Sequence, residues 1–432
     1  MPRLPRHLAL AALLLYLPIS APRAMVQERE PSREPILRIE TGMHTALIWR
    51  TSVDAANRYL VTASEDKTVR VWELASGRLL RVIRVPIDAG NGGKLAAIAI
   101  SPDGNTIAVG GFTRFEWEKT HSIYLFDRES GRLIKRIGGL LNAVLYLVYS
   151  PDGLYLAATL AEGGVHVYAA TTYTQVGADI DYPALSVGAD FDQADRLVTT
   201  CLDNYIRLYS PPHDGSLRLL AKKKAVGGKQ PYAVRFSPDG LRVAVGFEDS
   251  MKVAVLSGRD LSMLYAPDIS GINKGNLNNV AWSADGSTLY AGGDSSDPNG
   301  NYFIRIWSDS GQGNYHDTVA ATNYITHILP LRAGGVVYGA GDPAFGVLDA
   351  SGKRQLFSSG ASANYRNNEQ GFLLAADGMG VAFGYEQFGR SPARFSLAAR
   401  QLDTTGSVMN RRPATRRRRP PSRRPCLTFR WR

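Results

Sequence analysis

The chain has 432 residues, 44% hydrophobic and 21% charged, with 43 glycines and 23 prolines, which excludes a disordered polymer and suits a turn-rich globular protein. Its formal net charge of +11 looks like a nucleic-acid signal, but ten arginines crowd the last 22 residues, RRPATRRRRPPSRRPCLTFRWR, and Arg3, Arg6 and Arg23 stand near the start, so the body is close to neutral and nucleic acid is not the expected partner. Two cysteines, Cys201 and Cys426, cannot build a disulfide framework or a zinc site.

In chain order, the opening MPRLPRHLALAALLLYLPISAPRAM has a basic start, an apolar run from Leu8 and small residues up to Ala24. That is the layout of a secretory signal over residues 1–24, and the apolar run is short for a membrane span. An exported protein, periplasmic or secreted, is expected, with no membrane span beyond a possible signal anchor. If Met25 is the true first residue, the expectation becomes cytoplasmic.

From residue 35 to 403 a unit recurs. Ser-Pro-Asp-Gly occurs at Ser101–Gly104, Ser150–Gly153 and Ser237–Gly240, with SADG at Ser283–Gly286 and AADG at Ala375–Gly378. Looser corners are VDAAN at Val53–Asn57, FDQAD at Phe191–Asp195 and LRAGG at Leu331–Gly335. Their spacing of roughly 42 to 49 residues is that of a four-stranded propeller blade. An alternating apolar stretch precedes each corner (LAAIAI, AVRFS), a second follows it (TIAVGG, RVAVGF), and a third ends in an aromatic or apolar residue (TVRVWEL, FIRIWS). Asp-Gly favours the tight corner because glycine tolerates positive φ. Such sheets bury their faces by stacking radially. The fold expected is an all-β propeller of four-stranded blades. Eight blades are favoured over seven, with PILRIET (Pro35–Thr41) as the N-terminal strand that closes the ring.

The stretch SEDKTVRVWELASG, with His44 before it, resembles the WD-repeat family. In that family a His, a Ser or Thr, an Asp and the Trp form a buried hydrogen-bonded set, which the resemblance places on His44, Thr62, Asp66 and Trp72 as a structural network. Later units match in part: Thr199, Asp203 and Tyr209 keep the pattern with Tyr for Trp, Asp249 is followed by Leu256, Gly163 stands for the Asp ahead of Tyr168, and Trp307 follows a long insertion. More narrowly, LRIETGMHTALI, TVRVWELASGRLLRVIRVP and GAGDPAFGVLD resemble exported bacterial WD-repeat proteins, some of which continue into a caspase-like peptidase domain.

Catalytic motifs are not evident. His44, His121, His166, His213, His316 and His327 fall in separate units with no metal spacing, and there is no GxSxG or phosphate-cradling loop. GGDSSDPNGNY (Gly292–Tyr302) offers Asp294 and Asp297 as oxygen ligands that would suit Ca²⁺, but lacks the calcium-loop spacing and reads as an extended hairpin loop. FTRFEWEKTH (Phe112–His121) sets Phe112, Phe115 and Trp117 among charges, the make-up of an interface anchor. AKKKAVGGK (Ala221–Lys229) reads as a solvated connection, and residues 404–432 as a disordered Arg/Pro-rich tail. The function expected is a monomeric, non-catalytic scaffold without cofactor or metal, binding a protein or peptide through loops and axial surfaces. The alternatives are the regulatory propeller region of a larger caspase-like peptidase protein, or a propeller with a hydrolase-type site.

Overall fold

The computed structural model describes residues 42–88, 90–115, 117–212 and 215–359, and the backbone of four strands between residues 372 and 403. Alternating stretches rich in Val, Ile, Leu and Tyr form short antiparallel strands, as their period dictates. Consecutive strands pair in chain order into four-stranded sheets. Blade 1 consists of Ile48–Val53, Tyr59–Ser64, Thr68–Glu73 and Arg78–Arg84. Blades 2 to 7 span residues 94–140, 144–179, 186–224, 231–265, 279–321 and 325–359. Among the described residues the one helix is a 3-10 turn, Asp309–Gly311, and none is long and apolar enough to cross a membrane.

The first strand of each blade touches the first strands of its neighbours, so these strands line the axis. Fourth strands lie outermost and face water, as Leu133–Leu140 and Leu219–Lys224 show. The latter strand takes in part of the lysine run expected to be a connection. Its lysines lie on an outer edge, where charge discourages pairing with another sheet.

The recurring corner joins first strand to second by a fixed set of bonds. In Ser101–Gly104 the Asp103 carboxylate accepts the Asn105 amide at 3.0 Å, and Ser101 Oγ accepts the Thr106 amide at 2.9 Å. The same bonds recur on Ser150 and Asp152, Ser237 and Asp239, and Ser283 and Asp285. Glycine follows because φ there is near +70°, for example +77° at Gly104 and +68° at Gly240. Where glycine is missing, Asn57 and Asp195 take that conformation at +55° and +59°, as Asn and Asp do most readily. Asp54 and Asp192 then each bind a following arginine, Arg58 at 2.9 Å and Arg196 at 2.7 Å.

Seven apolar clusters fill the wedges between neighbouring blades. The last joins Ile48, Leu60 and Trp72 of blade 1 to Leu331, Val337 and Phe345 of blade 7, with the Trp72 and Phe345 rings 4.9 Å apart. Arg50 Nη1 donates to the Thr326 carbonyl across the same seam at 3.1 Å. The ring therefore closes with seven blades, which corrects the expectation of eight. The terminal strands Phe372–Leu374, Gly380–Phe383, Ala393–Ser396 and Gln401–Asp403 pair with one another, but the seam between blades 7 and 1 is already sealed. The proposed latch is corrected too: that last sheet draws its fourth strand from Gln401–Asp403, while residues 35–41 lie outside the described residues. Counting corners overcounts blades because a corner marks a sheet, whereas apolar wedges decide which sheets enter the ring.

Candidate functional site

Blade 1 brings His44, Thr62, Asp66 and Trp72 together. His44 Nε2 meets Thr62 Oγ1 at 2.7 Å and His44 Nδ1 meets Asp66 Oδ2 at 2.8 Å. The Trp72 indole N–H donates to Thr62 Oγ1 at 2.9 Å. Burial pushes the Asp66 carboxyl up, but the His44 charge and the bonds from His44, Thr68 and the Thr45 amide overcome it and hold the group far below the usual range. His44 and Thr62 are fully buried, so each polar atom needs its partner.

Other blades fill the same place differently. In blade 4 the Tyr182 hydroxyl bonds Thr199 at 2.5 Å and Tyr209 at 2.9 Å, and Tyr209 donates to Asp179 at 2.7 Å. Asp203, placed by sequence in the role of Asp66, instead pairs with buried Arg207 at 2.6 Å. In blade 5 Asp249 accepts the amides of Lys229 and Gln230 at 2.9 and 3.0 Å, and Leu256 needs no cap because it has no N–H. Trp307 of blade 6 donates to the Asp268 carbonyl at 2.7 Å. In blade 3 burial pushes Tyr168 up to about 12.

The loop of blade 2 is pinned at its base and open at its tip. Thr113 Oγ1 donates to the Ser122 carbonyl at 2.7 Å, and Arg136 pairs with Glu118. Phe112 remains half-buried in its strand. Phe115 and Trp117 stack almost parallel, centroids 4.9 Å apart at 5°, with Trp117 74% exposed. The two aspartates of blade 6 are engaged separately: Asp294 with Tyr302, Asp297 with the amide and side chain of Asn301 at 2.8 and 3.0 Å. Asp297 borders a groove of about 540 Å³ lined also by Lys274, Pro298 and Phe303. Among the described residues no three His, Cys, Asp or Glu converge as metal ligands. Cys201 is buried and free. His166 binds Gln175 at 2.9 Å, and His213 lies outside the described residues, as do residues 1–24 and 404–432.

On the axis stands a cluster that reading by motif missed. Arg50, Tyr146, Arg235 and His327 come from the first strands of blades 1, 3, 5 and 7. The Tyr146 hydroxyl lies 3.0 Å from His327 Nε2, as does Arg235 Nη2, and Arg235 also donates to the Tyr146 hydroxyl. Thr51 Oγ1 lies 3.2 Å from His327 Nδ1, and Arg50 Nη2 donates to Tyr232 at 3.1 Å. Burial, then the Arg235 and Arg50 charges, pushes the His327 imidazole well below its ordinary value. The His327 ring meets Thr51 at Nδ1 and Tyr146 and Arg235 at Nε2, with no carboxylate among these partners. A signal was present: Arg50, Tyr146 and His327 are each the third residue of an inner strand.

The model of the family described as WD domain, G-beta repeat, matches residues 38–73, the stretch that carries His44, Thr62, Asp66 and Trp72. The fold is a WD-repeat β-propeller. The propeller is similar to the periodic tryptophan protein 2 homolog of Dictyostelium discoideum, 22% identical over 179 residues, covering 41% of this chain and 18% of the relative. It is also similar to the ribosome biogenesis protein BOP1 homologs of Drosophila erecta and Drosophila melanogaster, 50% identical over 40 residues, 9% of this chain and 5% of each relative. The chain thus spans less than a fifth of the relatives it matches. These matches correct the expectation of export: the BOP1 homologs are named for ribosome biogenesis, and neither relative's name is that of a secreted or periplasmic protein.

Proposed function

We propose that the WD-repeat propeller is a non-catalytic scaffold that holds a protein or peptide partner through its loop and axial surfaces, with the loop at residues 112–121 as the principal contact. The observation that carries this reading is the Phe115–Trp117 stack. Trp72, Trp282 and Trp307 are buried to 2% exposure or less, whereas Trp117 stands 74% exposed. A stacked aromatic pair held out by a pinned loop has little conformational freedom left to lose on binding, and such residues concentrate binding energy at interfaces. A rigid ring with variable loops separates stability from recognition. The ribosome biogenesis name of the BOP1 homologs supports an assembly role over a reaction.

The test is affinity capture with a Phe115→Ala/Trp117→Ala variant whose melting matches wild type. Loss of the partners retained by wild type is expected. Equal capture by both proteins overturns the assignment of this loop.

A further inference from the structure

Four of the buried arginines of the ring fall into two kinds. Arg207 and Arg305, each 1% exposed, close on carboxylates: Asp203 at 2.6 Å and Asp317 at 2.7 Å. Arg50 and Arg235, 4% and 6% exposed, make no ion pair among the described residues. Their bonds run to neutral groups instead: Arg50 to the Trp49 and Thr326 carbonyls and the Tyr232 hydroxyl, Arg235 to the Ala189 and Val234 carbonyls, Tyr146 and His327. The negative groups that reach them electrostatically form no ion pair with either and are bound by neutral donors. Asp190, which faces Arg235, accepts the Phe236 amide at 2.8 Å, and burial pushes its carboxyl up to about 6. Glu248, which acts on Arg50, accepts from Asn278 at 2.6 Å.

Burying a guanidinium without a carboxylate in direct contact is costly, and two of them close together more so. Both guanidinium carbons lie 5.3 Å from the centroid of the single Tyr146 ring, hence at most twice that distance apart. Arg50 Nε and Thr326 Oγ1 are buried and have no hydrogen-bond partner, although Arg50 already reaches the Thr326 carbonyl. We infer that the axis between blades 1, 3, 5 and 7 is an anion site, where Arg50 and Arg235 together take one small tetrahedral oxyanion of the phosphate or sulfate class. Arginine suits that shape because its planar fork matches oxyanion geometry. The hydroxyls of Tyr146 and Tyr232 stand beside the two cations as further donors. An anion held there would tie three blades together, and it would stabilise the folded ring by mass action. This site is independent of the loop at residues 112–121.

The experiment uses the full chain, titrated with inorganic phosphate and separately with sulfate against chloride at equal ionic strength, read by calorimetry and by melting. One saturable site and a Tm rise of a few degrees are expected. Arg50→Met and Arg235→Met should each weaken phosphate binding at least tenfold. Because loss of a buried arginine can also unfold the ring, Tyr232→Glu is the second variant: it sets a carboxylate beside Arg50 Nη2, and its melting should no longer respond to phosphate. Wild type that melts identically in phosphate and chloride with no heat of binding overturns the proposal. So does a Tyr232→Glu protein that responds to phosphate as wild type does.

Discussion

In blade 1 the indole of Trp72 is capped by Thr62, which His44 and Asp66 hold in turn. In blade 4 two phenols, Tyr182 and Tyr209, meet over Thr199, and the aspartate of the turn is drawn off to Arg207. Both sets bury several polar groups between sheets, and both pair them, but the chain of dependence differs. Thr62 serves two partners that have no substitute, whereas Tyr182 and Tyr209 hold each other, and Tyr209 keeps Asp179 as well. What the aspartate–tryptophan pattern preserves across blades is hydrogen-bond satisfaction, not a particular pair of residues.

The comparison can be broken hardest at the aromatic position. Trp72→Ala opens a cavity in the wedge that seals blades 1 and 7 and should cost about 3–5 kcal/mol in urea unfolding. Asp203→Ala leaves the Arg207 guanidinium buried without its carboxylate and should cost about 3 kcal/mol, with Arg207→Met restoring part of it in the double variant. Valine at the threonine position sharpens the contrast: Thr62→Val strands both the indole N–H and His44, about 2–3 kcal/mol, while Thr199→Val leaves the Tyr182–Tyr209 bond intact, about 1 kcal/mol. An acid effect tests the same network through pH. Because the Asp66 carboxyl is held far below its ordinary 3.8, the folded ring binds fewer protons there than the unfolded chain. Its contribution is complete above the ordinary value and drains away as pH falls toward the folded one. Melting of Asp66→Asn against wild type should therefore converge as pH drops below about 4.

The strands, the corners and the four-residue set of blade 1 were legible because each depends on local pattern: period-two alternation, a corner that needs positive φ, residues at repeat spacing. The stacking of Phe115 on Trp117 was legible only as a run of aromatics in a loop. Blade 4 shows the limit, since Asp203 occupies the expected place in the chain but faces Arg207, a residue in the next strand whose burial could not be read from its neighbours. The axial cluster was hidden from motif reading, despite the shared strand position, because its members are far apart in the chain: Tyr146 and His327 by 181 positions, Arg235 and His327 by 92.

By itself, then, the amino-acid order determined that this protein is a train of small antiparallel sheets with buried polar caps, since those features follow from contacts within forty-odd residues. Only the tertiary structure decided that seven sheets close the ring and that two arginines, two tyrosines and a histidine meet at its axis. Closure depends on the angle at which each wedge packs on the next, and an axis exists only once the ring has come round.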